Sequence, residues 1–459
     1  MSPSTDHRRM SAAVIGAGIS GLVAARALSR AGVDVSLYEA SGRFGGQIRT
    51  ESLCGNSADV GAEALHLASP AVRGLVDELD LASDAVSSRP GKTWLQVRGR
   101  LVTMPAGVGP AGPTRLRPVI SSRALSLPGL GRAALEPWKA RRKVTGDISV
   151  AEFITGRFGR EVTDTFVDPM LGGLHSGDIS RLSLQSASPM LAAAARAGKP
   201  LTTSRKLRRA APATPASFIT WPTGLSRLVD RLSADIDGRV HLSTAVQTLG
   251  VGPCLTVNGE TAEYDAVVLA VPAAAAAAML CDLPAAAQAL DRIPTATVGS
   301  LLVAFDRTTV ASVDALRGTG ILLGSTSGRL LKSATFLSTK WPHLDRPDHY
   351  LMRLSAGRAG QHIVSELDDD ELITRMLTDL RELTGLTADP LQTRLHRWVD
   401  TMPQLEIGHA ERVRTARAAL WPGVVLAGAA YDGVGLASAI ASGQQAATAV
   451  LTYLQEQSA

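Results

Sequence analysis

Three glycines in the segment GAGISG have the spacing of a phosphate-binding turn. Gly16 would permit a tight turn, Gly18 would let the backbone approach a pyrophosphate, and Gly21 would allow close packing of a helix on a strand. Ile19 and Ser20 open the predicted helix, whose start offers free N–H groups and the positive end of its dipole. We therefore predict that this turn binds the pyrophosphate of a dinucleotide.

An acidic residue follows the next predicted strand, residues 33–38. Glu39, with Ala40 beside it, lies at about the chain spacing at which an acid accepts hydrogen bonds from an adenosine ribose. Strand, glycine turn, helix, strand and acid together form a β-α-β unit. This combination is far more specific than the glycines alone, and it strengthens the prediction of a dinucleotide site.

The residues after Glu39 indicate which dinucleotide is bound. Arg43 would counter phosphate charge, and Gly45 and Gly46 would let a second backbone segment close over an extended flavin dinucleotide. A nicotinamide dinucleotide has no need of this second segment, so we predict FAD. The residues expected to line the flavin ring are Gly61, Ala62 and Glu63. A plain surface role for Arg43 stays open at this stage.

Composition and charge limit the remaining classes of protein. The chain has 459 residues with 45% apolar and 19% charged residues, which predicts a large core and two or three substructures. A net charge of +5 suits an acidic small substrate or an anionic membrane surface, and we predict no nucleic-acid partner. The three cysteines and nine histidines show no metal-ligand spacing, so we predict no metal.

The sequence also bears on location. The three cysteines lie far apart, which favours a reducing compartment over a disulfide framework. The N-terminus lacks the apolar region of a signal peptide, and the longest apolar run, 266–281, is too short for a membrane span. We therefore expect a cytoplasmic protein, while a peripheral membrane contact stays open.

The order of helical and strand patterns predicts interleaved domains of the α/β class. The domains are a Rossmann-like FAD-binding domain, an α+β substrate domain and a mainly helical subdomain. The predicted FAD-binding segments are 1–86, 222–297 and 396–459. The predicted substrate segments are 87–103 and 298–395, and the helical subdomain is 104–221. Its last residues, 201–221, are basic and rich in proline and alanine, which is typical of a linker.

The motif ExxGRxGGxxxT, following GxGxxG, resembles the FAD-binding amine oxidase and protoporphyrinogen oxidase superfamily. The segment AGAAYDGVGLASAIASG at 427–443 is similar to the C-terminal FAD motif of that superfamily, whose helix start points at the flavin pyrimidine edge. A helix start there would stabilise the anionic reduced flavin. The resemblance and the predicted strand ends add these cofactor-binding residues: Val246, Ala270, Pro272, Trp398, Gly428, Val434, Gly435 and Leu436.

The branch of the superfamily is indicated by three observations. Ala427-Gly428-Ala429 stands where amine oxidases carry Ala-Gly-Glu, and the strand predicted at 298–306 lacks the lysine of their active site. The segments YDGVG, 166–191, 332–342 and 397–404 instead resemble porphyrinogen oxidases, above all the bacterial coproporphyrinogen III oxidases. The resemblance implies six-electron oxidation of coproporphyrinogen III to coproporphyrin III in haem biosynthesis, with O2 as acceptor and release of H2O2. It also implies transient contact with ferrochelatase.

A porphyrinogen carries propionates, which need Arg or Lys. The resemblance places Lys92, Arg98 and Lys340 in or near the substrate domain, and His175 in a block that would line the pocket. No catalytic residue is predicted with certainty, because the flavin carries the redox step. Protoporphyrinogen IX oxidation, an amine or carotenoid oxidoreductase, and an FAD-bearing porphyrin-binding scaffold without turnover stay open.

Overall fold

A computed structural model describes residues 9–141, 143–202 and 218–458. Residues 203–217, which form most of the predicted linker 201–221, lie outside the described part of the chain. The structure confirms the predicted α/β class, with a parallel sheet, a large mixed sheet and a helical layer.

A five-stranded parallel sheet carries the first glycine turn. Its two central strands, Ser11–Ile15 and Ala266–Leu269, are short and almost fully buried runs because both faces of the sheet are covered, by helices on one side and by helices with a small sheet on the other. Ile15 pairs with Tyr38 on one side and with Leu269 on the other. The strand order is Gly238–His241, Asp34–Tyr38, Ser11–Ile15, Ala266–Leu269 and Val424–Leu426. The sheet thus joins the start, middle and end of the chain.

Helices pack on this sheet from both sides. The longest is the final helix, Leu436–Ser458, and it lies against Ile19–Arg30. The others are Pro70–Glu78, Ser226–Ala234, Ala273–Met279, Pro284–Asp291, His409–Ala418 and Ala429–Asp432. A three-stranded antiparallel sheet, Val246–Gly250, Cys254–Val257 and Glu260–Glu263, completes this unit. Its hairpin turn is at Asn258 and Gly259, both with positive φ, as the Asn-Gly pair predicts.

A seven-stranded sheet forms the second unit. Its strand order is Gln392–Pro403, Thr295–Asp306, His349–Ala356, Leu331–Thr335, Gly320–Leu322, Thr93–Val97 and Arg100–Thr103. One face packs on the helix Asp369–Thr384 through side chains such as Leu301 and Val303. Short helices complete this unit at Arg307–Ala311, Asp314–Leu316, Ser325–Ser327, Leu337–Lys340, Pro342–Leu344 and Ile363–Glu366.

A helical layer lies between residues 116 and 197. Its helices are Leu116–Ser122, Leu127–Ala134, Glu136–Lys139, Val150–Phe158, Arg160–Val162, Thr163–Gly172, Gly173–His175, Leu184–Ala187 and Pro189–Ala197. The segment Thr163–Gly172 is a π-helix with Pro169 inside it. A wide turn of this kind accommodates a residue without an N–H, and such turns are frequent at functional sites.

Short strands connect the units. Phe218–Thr220 pairs with Leu65–His66 and with Val86–Ser87, and both of these strands belong to the N-terminal part of the chain. The remaining pairs are Thr50–Leu53 with Asn56–Asp59, and Val108–Gly109 with Gly112–Pro113.

Two strands, Thr295–Asp306 and Gln392–Pro403, run across the domain boundaries predicted near 297 and 395.

Candidate active site

The three glycines of the first turn have different surroundings. A Cβ on Gly16 would lie 2.5 Å from the Ala270 carbonyl oxygen, and φ there is +100°. A Cβ on Gly21 would lie 1.9 Å from the Gly16 carbonyl oxygen. Gly18 has φ of −69°, and nothing lies within 4 Å of a Cβ built on it. The chain's own packing thus requires Gly16 and Gly21, whereas Gly18 faces open space that a ligand would fill.

The helix Ile19–Arg30 begins at this open space. Its N-terminus has no side-chain cap and no acidic residue in its first turn. Its first N–H groups and its dipole are therefore free to act on an anion. Glu39 is held beside the turn, since its Oε2 accepts from the Ala17 N–H at 2.8 Å and its Oε1 accepts from the Ser41 N–H at 2.8 Å.

A second backbone segment closes over the turn, as the glycine pair predicted. Gly18 and Gly45 form a parallel bridge, and the Gly45 N–H donates to the Ala17 carbonyl at 2.8 Å. A Cβ on Gly46 would lie 3.0 Å from the Gly18 Cα. Only glycine fits this close backbone approach.

Arg43 lies in the same segment. Its guanidinium donates to the carbonyls of Phe44 and Ile48 at 3.1 Å and of Gly46 at 2.5 Å. Burial lowers the pKa of Arg43, with Arg49 adding to the effect. Arg43 therefore holds its own loop in shape, and its contact with phosphate stays a prediction.

The second glycine-rich stretch forms a turn with three positive φ values. Gly428, Gly433 and Gly435 have φ of +127°, +111° and +107°. The Gly428 N–H donates to Ser442 Oγ at 2.8 Å, and Ser442 Oγ donates to Asp432 at 2.6 Å. These bonds hold the turn over the start of the final helix at Leu436, with Val434 half-buried before it.

The two glycine turns meet where their helices pack. Ser20 Oγ donates to the Ala439 carbonyl at 2.8 Å. A Cβ on Gly443 would lie 2.4 Å from the Ser20 carbonyl oxygen, and one on Gly428 would lie 3.9 Å from Ser20 Oγ. The N-terminal ends of the two helices therefore stand side by side, which brings the first and last motifs together in space.

The segment Gly61–Ala62–Glu63, predicted to line the flavin, packs against the residue that follows the second glycine pair. A Cβ on Gly61 would lie 2.1 Å from the Gln47 carbonyl oxygen and 2.9 Å from the Trp398 ring. Trp398 is buried, and its Nε1 donates to the Val60 carbonyl at 3.0 Å. The tight fit fixes the backbone of this segment against the sheet.

The other predicted cofactor residues lie at strand ends near the first turn. The Ala270 N–H donates to the Ile15 carbonyl at 2.7 Å, directly beside Gly16. Pro272 precedes the helix Ala273–Met279. Val246 begins a strand of the three-stranded sheet and is buried.

Glu63 joins the two units through a buried charge cluster. Arg353 lies 2.5 Å from its Oε2, and Lys340 pairs with its Oε1. Burial raises the pKa of the Glu63 carboxyl, but Arg353 and Lys340 outweigh this and bring it to about 2. Arg353 also donates to the Gly61 carbonyl at 2.8 Å, so it anchors the predicted flavin-lining segment to the sheet.

The four predicted substrate residues are spread over the molecule. Lys340 forms an ion pair with Glu63. Lys92 is exposed just before the strand Thr93–Val97, and Arg98 lies in the hairpin turn after that strand and is paired with Glu161. His175 is 3% exposed, and burial lowers its pKa to about 4, so it is neutral at physiological pH. Among the described hydrogen bonds and ion pairs, no contact joins these four to one another.

Polar side chains that sequence reasoning missed line one face of the seven-stranded sheet. Ser333, Ser355 and Ser300 lie in one row across three strands, and Thr335 pairs with Arg353 in the next. The opposite face packs a large apolar cluster against the helix Asp369–Thr384. Interior strands alternate in this way when one face lines a site. The alternation of polar and apolar residues in KSAT (332–335) and YLMRLSA (350–356) is the sequence signal that could have revealed this polar face.

Residues 19–451 match the model of the flavin containing amine oxidoreductase family. The chain belongs to this family. It is 31% identical to coproporphyrinogen III oxidase of Bacillus subtilis, over 96% of this chain and 98% of that protein. The corresponding enzyme of Mycobacterium leprae is also 31% identical, over 95% and 97%.

A solved structure from Exiguobacterium sp. 255-15, provisionally assigned as a protoporphyrinogen oxidase, has a TM-score of 0.86 and 25% identity over 98% of this chain and 99% of that one. The family predicted from the motifs is therefore confirmed, and a flavin is the cofactor of this family member. The open space at Gly18 and the uncapped helix start fit the phosphates of such a group.

The described residues also bear on membrane spans and metal sites. Within residues 9–141, 143–202 and 218–458, no helix is long and apolar enough to cross a membrane. In the same part of the chain, no three His, Cys, Asp or Glu side chains come together as metal ligands.

Proposed function

We propose that this protein is an FAD-dependent oxidase that converts coproporphyrinogen III to coproporphyrin III, with O2 as acceptor and H2O2 as product. The observation that carries the proposal is the meeting of the two glycine turns at Ser20, which supports a single flavin site built from motifs more than 400 residues apart. The choice of substrate is supported by the names of the two relatives at 31% identity.

The stoichiometry follows from the chemistry of the substrate. Porphyrinogens have four methylene bridges between pyrroles, and conversion to the porphyrin removes six electrons and six hydrogens. Three molecules of O2 accept two electrons and two protons each and become three H2O2. A bound flavin supplies two-electron transfer and reoxidation by O2, and the protein supplies binding, orientation and electrostatics.

The roles of the chain's own residues follow from their positions. Gly18, Gly45 and the helix start at Ile19 would hold the pyrophosphate, and Glu39 would accept from the ribose. The helix start at Leu436 would stabilise negative charge on the nearby ring edge. The polar face of the seven-stranded sheet would border the macrocycle.

Turnover by the purified yellow protein tests the proposal. Reduced coproporphyrinogen III and protoporphyrinogen IX are supplied separately in air, with O2 uptake and porphyrin fluorescence recorded together. We expect three O2 consumed for each coproporphyrin III formed, and a higher kcat/KM for this substrate. A higher kcat/KM for protoporphyrinogen IX would overturn the substrate assignment, and binding of coproporphyrin III without turnover would indicate a scaffold. An amine and phytoene, supplied in parallel, are expected to give no O2 uptake.

A further inference from the structure

Lys332 is a buried lysine with no acidic partner. It is 5% exposed, and its side chain donates to Ser176 Oγ; the described residues offer it no ion pair. Burial lowers its pKa to about 7, and the charges of Arg358 and Arg353 act in the same direction. A buried cation without a counter-ion is costly, and folded proteins normally pair such a charge.

A second incompletely paired cation lies close by. Arg358 is 8% exposed, its Nη2 donates to the Leu323 carbonyl at 2.6 Å, and its Nη1 has no hydrogen-bond partner. The carboxylate of Asp168 acts on Arg358 from a distance, but its Oδ2 already accepts the Ser325 N–H at 2.5 Å. Asp168 therefore offsets part of the charge of Arg358, whereas the charges that act on Lys332 are those of Arg358 and Arg353.

Glu63, the acid beside Arg353, is also engaged. It is ion-paired with Lys340 and Arg353, and none of the described ion pairs or hydrogen bonds joins it to Lys332. His175, next to Ser176, is buried and neutral, and its Nδ1 has no hydrogen-bond partner. The region around Lys332 therefore holds two buried nitrogens, Arg358 Nη1 and His175 Nδ1, whose hydrogen-bonding capacity is unused among the described residues.

The position of this pair fits a substrate contact. Lys332 lies at the bulge between Leu331 and Ser333, on the strand whose inner face carries the half-buried Ser333 and Thr335. Ser176 follows the helix Gly173–His175 of the helical layer, and its carbonyl accepts from the Ala359 N–H at 2.7 Å. Lys332 and Arg358 thus lie where the polar sheet face meets the helical layer.

We propose that Lys332, Arg358 and Ser176 form a subsite that binds one carboxylate of the substrate. A carboxylate accepts charge-assisted hydrogen bonds from an ammonium and a guanidinium together, which would compensate both buried charges. This inference rests on the proposed function, because the carboxylate in question is a propionate of coproporphyrinogen III. None of the three residues is among the substrate candidates predicted from the sequence.

Binding of the stable product to the holoenzyme tests the subsite without turnover. Coproporphyrin III, with four propionates, is compared with its uncharged tetramethyl ester by fluorescence titration. We expect Lys332→Met to weaken binding of the acid by about 10- to 100-fold, as for loss of a charged hydrogen bond, and to leave the ester unchanged. Lys332→Arg should retain most of the affinity. Lys139→Met, at an exposed lysine of the helical layer, is the matched control.

Each outcome decides the proposal. Equal affinity of the Lys332→Met variant and wild type for coproporphyrin III would overturn it, as would equal weakening of acid and ester. Flavin content and thermal midpoint establish that each variant is folded. If Lys332→Met does not fold, Arg358→Gln is used instead, and its binding of the acid and of the ester is compared in the same way. Failure of the proposed function is a separate result, since it would be seen as absence of turnover by wild-type protein.

Discussion

At the scale of single residues, Gly18 differs from the other two glycines of its turn. Its φ of −69° suits any residue, and a Cβ there meets nothing within 4 Å. We therefore expect Gly18→Val to fold with a thermal midpoint close to that of the apoprotein, but to lose the flavin, because the side chain fills the space of the pyrophosphate. The ratio of flavin to protein absorbance measures this.

The control for that variant is Gly74→Val, at an exposed helix position with open space around it. It should keep the wild-type flavin content. Stoichiometric flavin in Gly18→Val would contradict the assignment of this turn to the cofactor.

At the same scale, the carboxyl of Glu63 leads to a prediction about how the stability of the fold depends on pH. Its folded pKa of about 2 lies below the ordinary glutamate value, so its pairing stabilises the fold above about pH 4.3 and is lost as pH falls toward 2. The shift corresponds to about 3 kcal/mol, as an order of magnitude. In urea titrations between pH 5 and pH 3, Glu63→Gln should show a weaker loss of unfolding free energy than wild type.

The same variant should be less stable than wild type at pH 7, because it leaves the partly buried Arg353 and Lys340 without their counter-ion. Removing one partner of a fully buried pair costs about 3–5 kcal/mol, which is an upper bound here. Glu263→Gln, at an exposed glutamate, is the control and should follow the wild-type pH profile. An unchanged pH slope in Glu63→Gln would show that this carboxyl does not carry the effect.

At the scale of elements, the contact between the first and last helices depends on Gly443. A Cβ there would lie 2.4 Å from the Ser20 carbonyl oxygen, which belongs to the helix backbone and has little freedom to move. Gly443→Val should therefore lower the free energy of unfolding by about 1–3 kcal/mol, as overpacking does, and should speed flavin loss by separating the helix starts.

Thermal unfolding and flavin release during dialysis measure the two effects. Gln445→Val places the same side chain on the exposed side of the same helix and should change neither. Normal flavin retention in Gly443→Val would mean that the relative position of the helix starts does not control the cofactor.

At the scale of the whole molecule, the cofactor would link segments from the start, middle and end of the chain. A ligand that binds only the folded state stabilises it by about 4 kcal/mol at a concentration a thousand times its Kd. Removal of the flavin should therefore lower the thermal midpoint by several degrees, and added FAD should restore it. Added FAD should leave Gly18→Val unchanged. Equal midpoints with and without flavin would contradict this linking role.

Local patterns in the sequence determined a large part of this structure. The first β-α-β unit is found as predicted, and the hairpin at Asn258 and Gly259 has the positive φ values that an Asn-Gly pair favours. The glycine motifs also identified the family. These features depend on neighbours a few residues apart, through side-chain periodicity and through φ values that favour glycine.

Only the tertiary structure decided which side chains meet. Lys340 and Glu63 are 277 residues apart in the sequence, and Lys332 and Ser176 are 156 residues apart. The spacing of neighbouring residues in the sequence therefore predicts neither contact. The two glycine motifs likewise become one site only because Ser20 packs on Gly443. The sequence by itself determined the cofactor class and the fold class, whereas burial and long-range packing decided which charges are paired and which are left for a substrate.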